Sequence, residues 1–384
     1  MRMLNEIRED INRVDSEIRK LFAERMKLAE QVAEYKLETN DKVLKPDRET
    51  ALIKMMSDDM PEDIKHEYIS MLKTSIRVSR MHQYQYMLKQ NPEKLKYHYL
   101  EPNNKPKTVV YQGLPASYQS QAAKAMFKDA EVIFHVETFE DVFKAVSEDK
   151  AEIGVVPIEN SSIGTINEVC DLLMKYDLYI SRSHINDIRH CLAGCNSAKI
   201  DDVKQVYSIT PALDQCKNYL KEKGFELCKT TNTAVAAQQI HNFNDITKAA
   251  VCSEDAAGLY GLKVLAACIN DDKTNQTRFV AISKKLSASE NDNRVSIAFT
   301  LPHEQGTLAA ALSMFSDRNI NLTEIHSRPL AETPWNYRFY ADFEGSLANE
   351  DTRSLIYQLS EELSSFRLLG SYQITQNNEV YYEN

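Results

Sequence analysis

Ile153-Gly-Val-Val-Pro-Ile-Glu-Asn-Ser-Ser-Ile-Gly164 decides the fold class of the central part of this chain. Its first four residues form a short apolar run, which reads as a buried strand stopping at Pro157. Glu159, Asn160, Ser161 and Ser162 follow, ahead of Gly164. In an open α/β sheet, ligands bind just beyond the carboxyl ends of strands, where small hydrogen-bonding side chains can orient a polar molecule. A Ser/Asn-rich turn without a ligand is the other reading of such a segment. Further apolar runs at 108–111, 132–135, 178–180, 203–208 and 249–252 alternate with helical patterns. That alternation predicts a largely parallel α/β domain over residues 107–284.

Around this centre lie two different segments. Residues 1–91 contain Pro46 and Pro61 but no glycine, the composition of an all-helical unit. Residues 91–107 hold Pro92, Pro102 and Pro106 among polar residues and read as a linker. Residues 284–293 form a second polar joint. Residues 294–374 then read strand, helix, strand, strand, helix, strand, the α+β ferredoxin-like order.

Composition narrows the function. A chain of 384 residues implies roughly two or three domains. Its net charge of −10 argues against nucleic acid and anionic membranes as partners, and any anion site must be locally basic. No run approaches the ~18 apolar residues of a membrane span, and the charged N-terminus is no signal peptide. Seven dispersed cysteines without a C-x-x-C read as reduced thiols of a cytoplasmic protein, with no metal site. The glycine patterns of nucleotide-binding loops are missing from the sequence, so no cofactor is expected.

In the helical segment, polar residues occupy apolar seams. Leu4, Ile7, Ile11, Val14, Ile18, Leu21, Leu28, Val32 and Tyr35 step by threes and fours, predicting one helix from about residue 4 to 37. Arg25 breaks that seam and shares a face with Ala29, Val32 and Lys36. Such a face can form an anion pocket, or Arg25 can pair with a carboxylate in a coiled coil. Arg8 lies about a quarter turn off that face, by the ~100° step of a helix. A third helix keeps Ile69, Leu72 and Ile76 on its seam and then places Ser79 and Gln83 there, either as inward hydrogen-bonding groups or as a fraying end. Between them, Arg48 and Glu49 open a short helix near Pro46.

Taken together, these positions resemble the three-helix chorismate mutase domain that is fused to many prephenate dehydratases. The resemblance implies an intertwined homodimer, or a higher homo-oligomer, in which each site borrows an arginine from its partner. It implies that Arg8, Arg25, Arg48 and Ser79 hold chorismate, that Glu49 takes its hydroxyl, and that Lys36 and Gln83 donate to the ether oxygen. The reaction is pericyclic and needs no nucleophile, only a compact conformer and donors where negative charge grows. Lys45 stands where that family commonly has an aspartate.

The central segment resembles prephenate dehydratase, a two-lobed α/β domain. The matching stretches are Gly154 to Gly164, Gly113-Leu-Pro-Ala-Ser117-Tyr118, Tyr207-Ser208 to Gln215-Cys216, and Thr277-Arg278-Phe279. The resemblance implies that Thr277 is catalytic, polarising the departing hydroxyl while carbon dioxide leaves. It places Asn160, Ser161, Ser208, Gln215, Thr233, Arg278 and Phe279 at the substrate prephenate. Arg278 can hold a carboxylate or brace the cleft, and Thr233 by its position can cap a helix. Ala116, Gln119, Ile209 and Asn232 depart from the family pattern.

Residues 294–374 resemble the ACT domain, an amino-acid-binding module. Gly306, Thr307 and Leu308 open its first helix and His326-Ser327-Arg328-Pro329 ends its second strand. The resemblance implies that Gly306, Thr307, Leu308, Ser327 and Arg328 bind phenylalanine between paired domains, giving feedback inhibition. His326 replaces a glutamate of the pattern. Two other readings remain at this point: a dehydratase whose N-terminal helices only dimerise, and a non-catalytic amino-acid sensor.

Overall fold

The computed structural model describes residues 2–330 and 336–376. Its contacts divide the chain into two units: Met1–His98 with Ser296–Leu368, and Tyr99–Val295 with the chain from Leu369 onward. Residues 331–335 of the expected C-terminal module lie outside the described residues.

The first unit opens with three helices, α1 (Leu4–Thr39), α2 (Pro46–Ser57) and α3 (Lys65–Gln90). α1 runs two residues past the expected end, to Asn40 in a left-handed conformation (φ 55°). Such a residue ends a helix with little steric penalty when it is an asparagine. Pro46 starts α2, where its missing N–H costs nothing. Leu4, Ile11, Val14, Ile18, Leu21 and Leu28, all seam residues, are exposed on this single chain.

The second unit has two lobes. Its elements are β1 (Thr108–Gln112), α4 (Tyr118–Met126), β2 (Val132–Val136), α5 (Phe139–Ser147), β3 (Ile153–Asn160), β4 (Gly164–Thr165), α6 (Asn167–Tyr176), β5 (Tyr179–Asp187), β6 (Cys191–Gly194), β7 (Gln205–Ser208), α7 (Thr210–Asp214), α8 (Lys217–Lys223), β8 (Glu226–Lys229), α9 (Thr233–Phe243), β9 (Lys248–Cys252), α10 (Glu254–Leu259), β10 (Lys263–Ala266) and β11 (Gln276–Ser283). One lobe carries the strand order β2-β1-β3-β11-β5, the other β10-β6-β9-β7-β8.

Two expectations need correction here. The sheets are mixed, not largely parallel: β1 is parallel to β2 and β3, whereas β11 is antiparallel to β3 and β5. The antiparallel β11 follows a polar loop and was not legible as a strand of this sheet. The strand begun at Ile153 also does not stop at Pro157. It continues to Asn160, because the register with β11 shifts between Arg278 and Phe279 and a bulge takes up the irregular residue. Gly154 is there for packing: a Cβ would lie 2.6 Å from Val142 of α5 and 2.9 Å from Ile282. The helix therefore rests directly on the strand.

The rest of the first unit is β12 (Arg294–Leu301), α11 (Thr307–Ser316), β13 (Leu322–Pro329), β14 (Tyr337–Phe343), α12 (Glu350–Glu362) and β15 (Ser365–Tyr372), with β16 (Ile374–Gln376) in the second unit pairing β5. The strands lie in the order β13-β14-β12-β15. This is the connectivity read from the sequence. One face of α3 joins it to the helices: Arg77 bonds Asp317, Arg80 bonds Glu362, and the Tyr84 and Tyr357 rings meet edge to face at 5.3 Å. The first and third sequence segments thus pack as one body.

Candidate active sites

The first site lies among the three helices. Arg25, Lys36, Lys45, Arg48, Glu49, Ser79, Arg80 and Gln83 line a cavity of about 220 Å³, floored by Leu28, Ala29, Val32, Val43, Leu52 and Ile76. Lys36, Ser79 and Gln83 are each only 7% exposed. Lys36 Nζ donates to Val43 O and to Gln83 Oε1, both at 3.1 Å. An ammonium has three donors, so one remains for a ligand. Accepting from Lys36 fixes the Gln83 amide with its NH2 toward the other side, where it donates to Ser79 O at 3.3 Å and keeps a second hydrogen. Burial pulls the Lys36 pKa below its ordinary value; Lys45 and Arg48 add to that, and Asp41 and Glu49 oppose it.

Arg25 Nη1 donates to Ser75 O at 3.0 Å, leaving the rest of its fork for a ligand. Burial lowers its pKa as well. Its sequence alternative, a coiled-coil carboxylate, is not the partner found. Lys45 reaches the pocket rim and is bonded to Asp41, so a cation stands where the family pattern has an acid. Glu49 does not pair with Arg48; it accepts from Arg80 at 2.7 Å. Arg8 is exposed and lies 17 residues before Arg25, roughly 26 Å away along one helix. It does not reach this pocket from its own chain. Arg80 is the lining residue that sequence reasoning missed, because it sits one step off the seam that held Ser79 and Gln83.

The second site lies where the two lobes of the other unit meet. Thr277 pairs with Asn160 of β3 on one side and Asn186 of β5 on the other. Asn160 is its centre. Its Nδ2 lies 2.9 Å from Thr277 Oγ1, Asn275 Oδ1 and Gln276 O, and its Oδ1 accepts from the backbone of Ser162 and Ile163. A hydroxyl that accepts from Asn160 keeps its own hydrogen to donate elsewhere. Ser161 Oγ accepts from Gln276 N at 2.9 Å. Next to this, Ser162, Ile163, Pro211, Asp214, Gln215, Asp271, Asp272 and Asn275 line a cavity of about 460 Å³. The buried Nδ2 of Asn275 and Oδ1 of Asn186 have no hydrogen-bond partner among the described residues.

A buried chain supports the Gln215 side. His190 Nδ1 lies 3.1 Å from Tyr118 Oη, and its Nε2 lies 3.0 Å from Gln215 Oε1. Burial pushes the His190 pKa down to about 4, against a smaller upward pull from Gln215. With its hydrogen on Nε2 the neutral ring donates to Gln215, while the single Tyr118 hydroxyl hydrogen is shared between Arg189 O at 2.9 Å and His190 Nδ1. Tyr118 stood in a quoted motif; His190 and Asn186 carried no periodic or motif signal.

Three residues expected at this site, Ser208, Arg278 and Phe279, are engaged elsewhere, and the helix-capping role open to Thr233 goes to its neighbour. Ser208 is wholly buried and donates to Val251 O at 2.7 Å, so it ties two strands together. Thr233 does not cap α9; Asn232 does, accepting from Val235 N at 2.8 Å. Arg278 is engaged by Glu159 at 3.1 Å and Tyr372 at 3.2 Å, which favours the bracing role over a carboxylate clamp. Phe279 packs with Tyr111, Ala122, Ala123, Met126 and Val155 in the core. It shares a face of β11 with Thr277, but α4 covers that face at Phe279. Ala116 is held at φ 64°, which explains why a glycine is usual there.

These two sites agree with comparison to known proteins. Residues 7–84 match the family profile of chorismate mutase type II, and residues 109–287 that of prephenate dehydratase. The chain is 31% identical over 384 residues to a bifunctional chorismate mutase/prephenate dehydratase of Aquifex aeolicus, covering 97% of this chain and 98% of that one. The chain belongs to this bifunctional family. Within it, the helical unit is the mutase part and the two-lobed unit the dehydratase part. An arogenate dehydratase/prephenate dehydratase of Arabidopsis thaliana is 37% identical over 279 residues, covering 69% of this chain and 72% of its own length. The structure of a prephenate dehydratase from Arthrobacter aurescens in complex with L-Phe superposes with a TM-score of 0.64 at 25% identity, over 69% of this chain and 90% of that one. A mutase-bearing chain of this family excludes the reading of its helices as a bare dimerisation device.

A third cavity lies in the C-terminal module. Leu301, Pro302, Gly306, Thr307, Leu308, Leu312, Tyr337 and Phe339 line about 460 Å³. Gly306 precedes α11 at φ 84°, a conformation that suits glycine. Thr307 Oγ1 is used locally, donating to Pro302 O or Glu304 O. Ser327 and Arg328 lie on β13 and do not line this cavity. His326 stacks on Tyr340, with ring centroids 5.0 Å apart.

Proposed function

We propose that the chain works as a bifunctional enzyme of phenylalanine biosynthesis, with the helical pocket converting chorismate to prephenate and the two-lobed site converting prephenate to phenylpyruvate. The observation that carries this is the vacancy among α1–α3: buried Lys36, Ser79 and Gln83 face an open cavity ringed by arginines. A dicarboxylate in a chain of net charge −10 needs such a locally basic place. Arg25 and Arg48 hold carboxylates, Glu49 accepts from the substrate hydroxyl, and the spare hydrogens of Lys36 and Gln83 meet the ether oxygen. Negative charge grows on that oxygen as its bond to the ring breaks, so fixed donors there favour the transition state over the ground state.

At the dehydratase site the groups around Thr277 are neutral amides. As the ring carboxylate leaves as carbon dioxide, its bonding electrons enter the ring and expel the hydroxyl. Thr277 donates a hydrogen bond to that leaving oxygen. Having no acidic pKa, it polarises the group and does not act as a strong acid. Asn160 sets the direction of that donation, and Gln215, held by His190, orients the substrate.

The exposed seam of α1 supports an interlaced homodimer. A groove of about 530 Å³ lined by Ile18, Leu21, Phe22, Met71 and Val78 lies beside Arg25, and in such a dimer Arg8 comes from the second copy. The C-terminal module reads as an ACT domain whose apolar cavity at Gly306 takes phenylalanine, with Ser327 and Arg328 supplied across a domain pair. We read the protein as cytoplasmic, with its seven cysteines as reduced thiols. No helix among the described residues is long and apolar enough to cross a membrane. Supplying chorismate to the purified chain tests the whole reading: prephenate rises first, then phenylpyruvate, and added phenylalanine slows the second step. A chain that forms phenylpyruvate from added prephenate but leaves chorismate untouched refutes the helical pocket as a mutase site.

A further inference from the structure

Arg80 stands between two carboxylates from different parts of the first unit. Its Nη1 donates to Glu49 at 2.7 Å, at the edge of the mutase pocket. Its Nε and Nη2 form a fork on Glu362, at 2.9 and 3.3 Å. Glu362 is the last residue of α12, its side chain is only 3% exposed, and Gln358 of the same helix donates to it at 3.0 Å. The guanidinium is therefore gripped along its Nε–Nη2 edge by the C-terminal module and presents Nη1 to Glu49. Burial would lower the Arg80 pKa, and the carboxylates, Glu362 foremost, outweigh it and raise it. The contact is part of a docked face: Arg77 on Asp317 and Tyr84 on Tyr357 lie on the same side of α3.

We propose that Arg80 is a positioning residue of the mutase reaction, held by Glu362, so that the C-terminal module sets the carboxylate of Glu49 for the substrate hydroxyl. A carboxylate on the α2 helix, without this clamp, has the nearby cations Lys36, Lys45 and Arg48 to turn toward. The bidentate geometry matters because a planar fork fixes direction as well as charge; a lysine cannot satisfy both partners in the same way. The mutase pocket is then complete only when α12 is docked on α3. This rests on the assignment of Glu49 to the hydroxyl.

The test is steady-state kinetics of both activities in the full chain for Glu362→Gln, Arg80→Lys, the double variant, and Glu49→Gln. Binding lost equally in ground and transition states raises KM and spares kcat. Glu362→Gln and Arg80→Lys are each expected to raise KM for chorismate about 3- to 10-fold with kcat changed less than about twofold and dehydratase kinetics unaltered. The double variant is expected to be no worse than the more damaging single one, since both break one linkage. An unchanged KM in Glu362→Gln, with Glu49→Gln raising it, overturns the clamp. Parallel loss of both activities with a lowered Tm also overturns it and leaves a structural ion pair. If Glu49→Gln itself leaves KM unchanged, the hydroxyl assignment falls, and the clamp with it.

Discussion

The helical pocket and the two-lobed cleft solve different problems with different materials. In the helices the working groups are charges: three arginines and two lysines around one glutamate, on rigid helices, with a lysine held at 7% exposure. In the cleft the groups nearest Thr277 are amides and hydroxyls, and the arginine beside it is engaged by Glu159 and Tyr372. The difference follows from the reactions. A pericyclic rearrangement needs a doubly charged molecule folded and one oxygen stabilised, so fixed charge is the economical tool. Fragmentation of prephenate is driven by aromatisation of the ring, so the site has chiefly to orient the substrate and polarise one leaving hydroxyl.

The comparison breaks most sharply at Thr277. Thr277→Ala removes the hydroxyl 2.9 Å from Asn160 Nδ2 and is expected to lower dehydratase kcat roughly 10²- to 10⁴-fold, the usual scale for a positioned proton donor. Thr277→Ser is expected to restore most of it, and mutase rates stay unchanged in both; following each half-reaction separately checks this. Dehydratase turnover surviving in the alanine variant would assign the chemistry elsewhere.

Lys36 probes the charged site. Lys36→Met is expected to lower mutase kcat about 10²- to 10³-fold, as loss of one preorganised donor does. The native residue adds a pH signature. With Lys36 in its proposed role as donor to the ether oxygen, activity needs the ammonium form; burial lowers its pKa, so activity is expected to fall as pH rises through a value below the ordinary lysine pKa of 10.5. The dehydratase, working through neutral groups, is expected to show no matching alkaline limb. Parallel alkaline limbs for the two activities would erase the contrast.

The smallest effect sharpens the comparison within one strand. Phe279 and Thr277 share a face of β11, yet one belongs to the core and the other to the site. Phe279→Leu is expected to cost about 1–2 kcal/mol of stability, read as a lower Tm, while leaving KM for prephenate within about twofold. A several-fold rise in that KM would return Phe279 to the substrate.

Much of this is legible in the sequence. The heptad seam of α1, and the intrusion of Arg25, Ser79 and Gln83 on apolar faces, pointed to a helical anion pocket because helix periodicity fixes which side chains share a face. The apolar runs at 108–111, 153–156 and 249–252 became β1, β3 and β9 for the same reason. What failed did so where pairing is non-local. Nothing in the residues 276–283 says that β11 inserts antiparallel between β3 and β5, and that insertion alone puts Thr277 beside Asn160 and extends β3 past Pro157. Ser208 and Thr233 sit at strand and helix ends, as their motifs required. That the Ser208 hydroxyl is spent on Val251 O depended on a strand that sequence spacing does not connect to it.

The sequence by itself determined the elements, the polar residues on apolar faces, and the order of the three segments. Those are properties of periodicity and composition, which are local. The tertiary structure decided which partner each polar group took: Glu49 with Arg80 instead of Arg48, Arg80 with Glu362 from nearly three hundred residues away, Thr277 with Asn160. A buried charge or amide must find a partner somewhere, and chain folding, not chain spacing, sets which one is within reach.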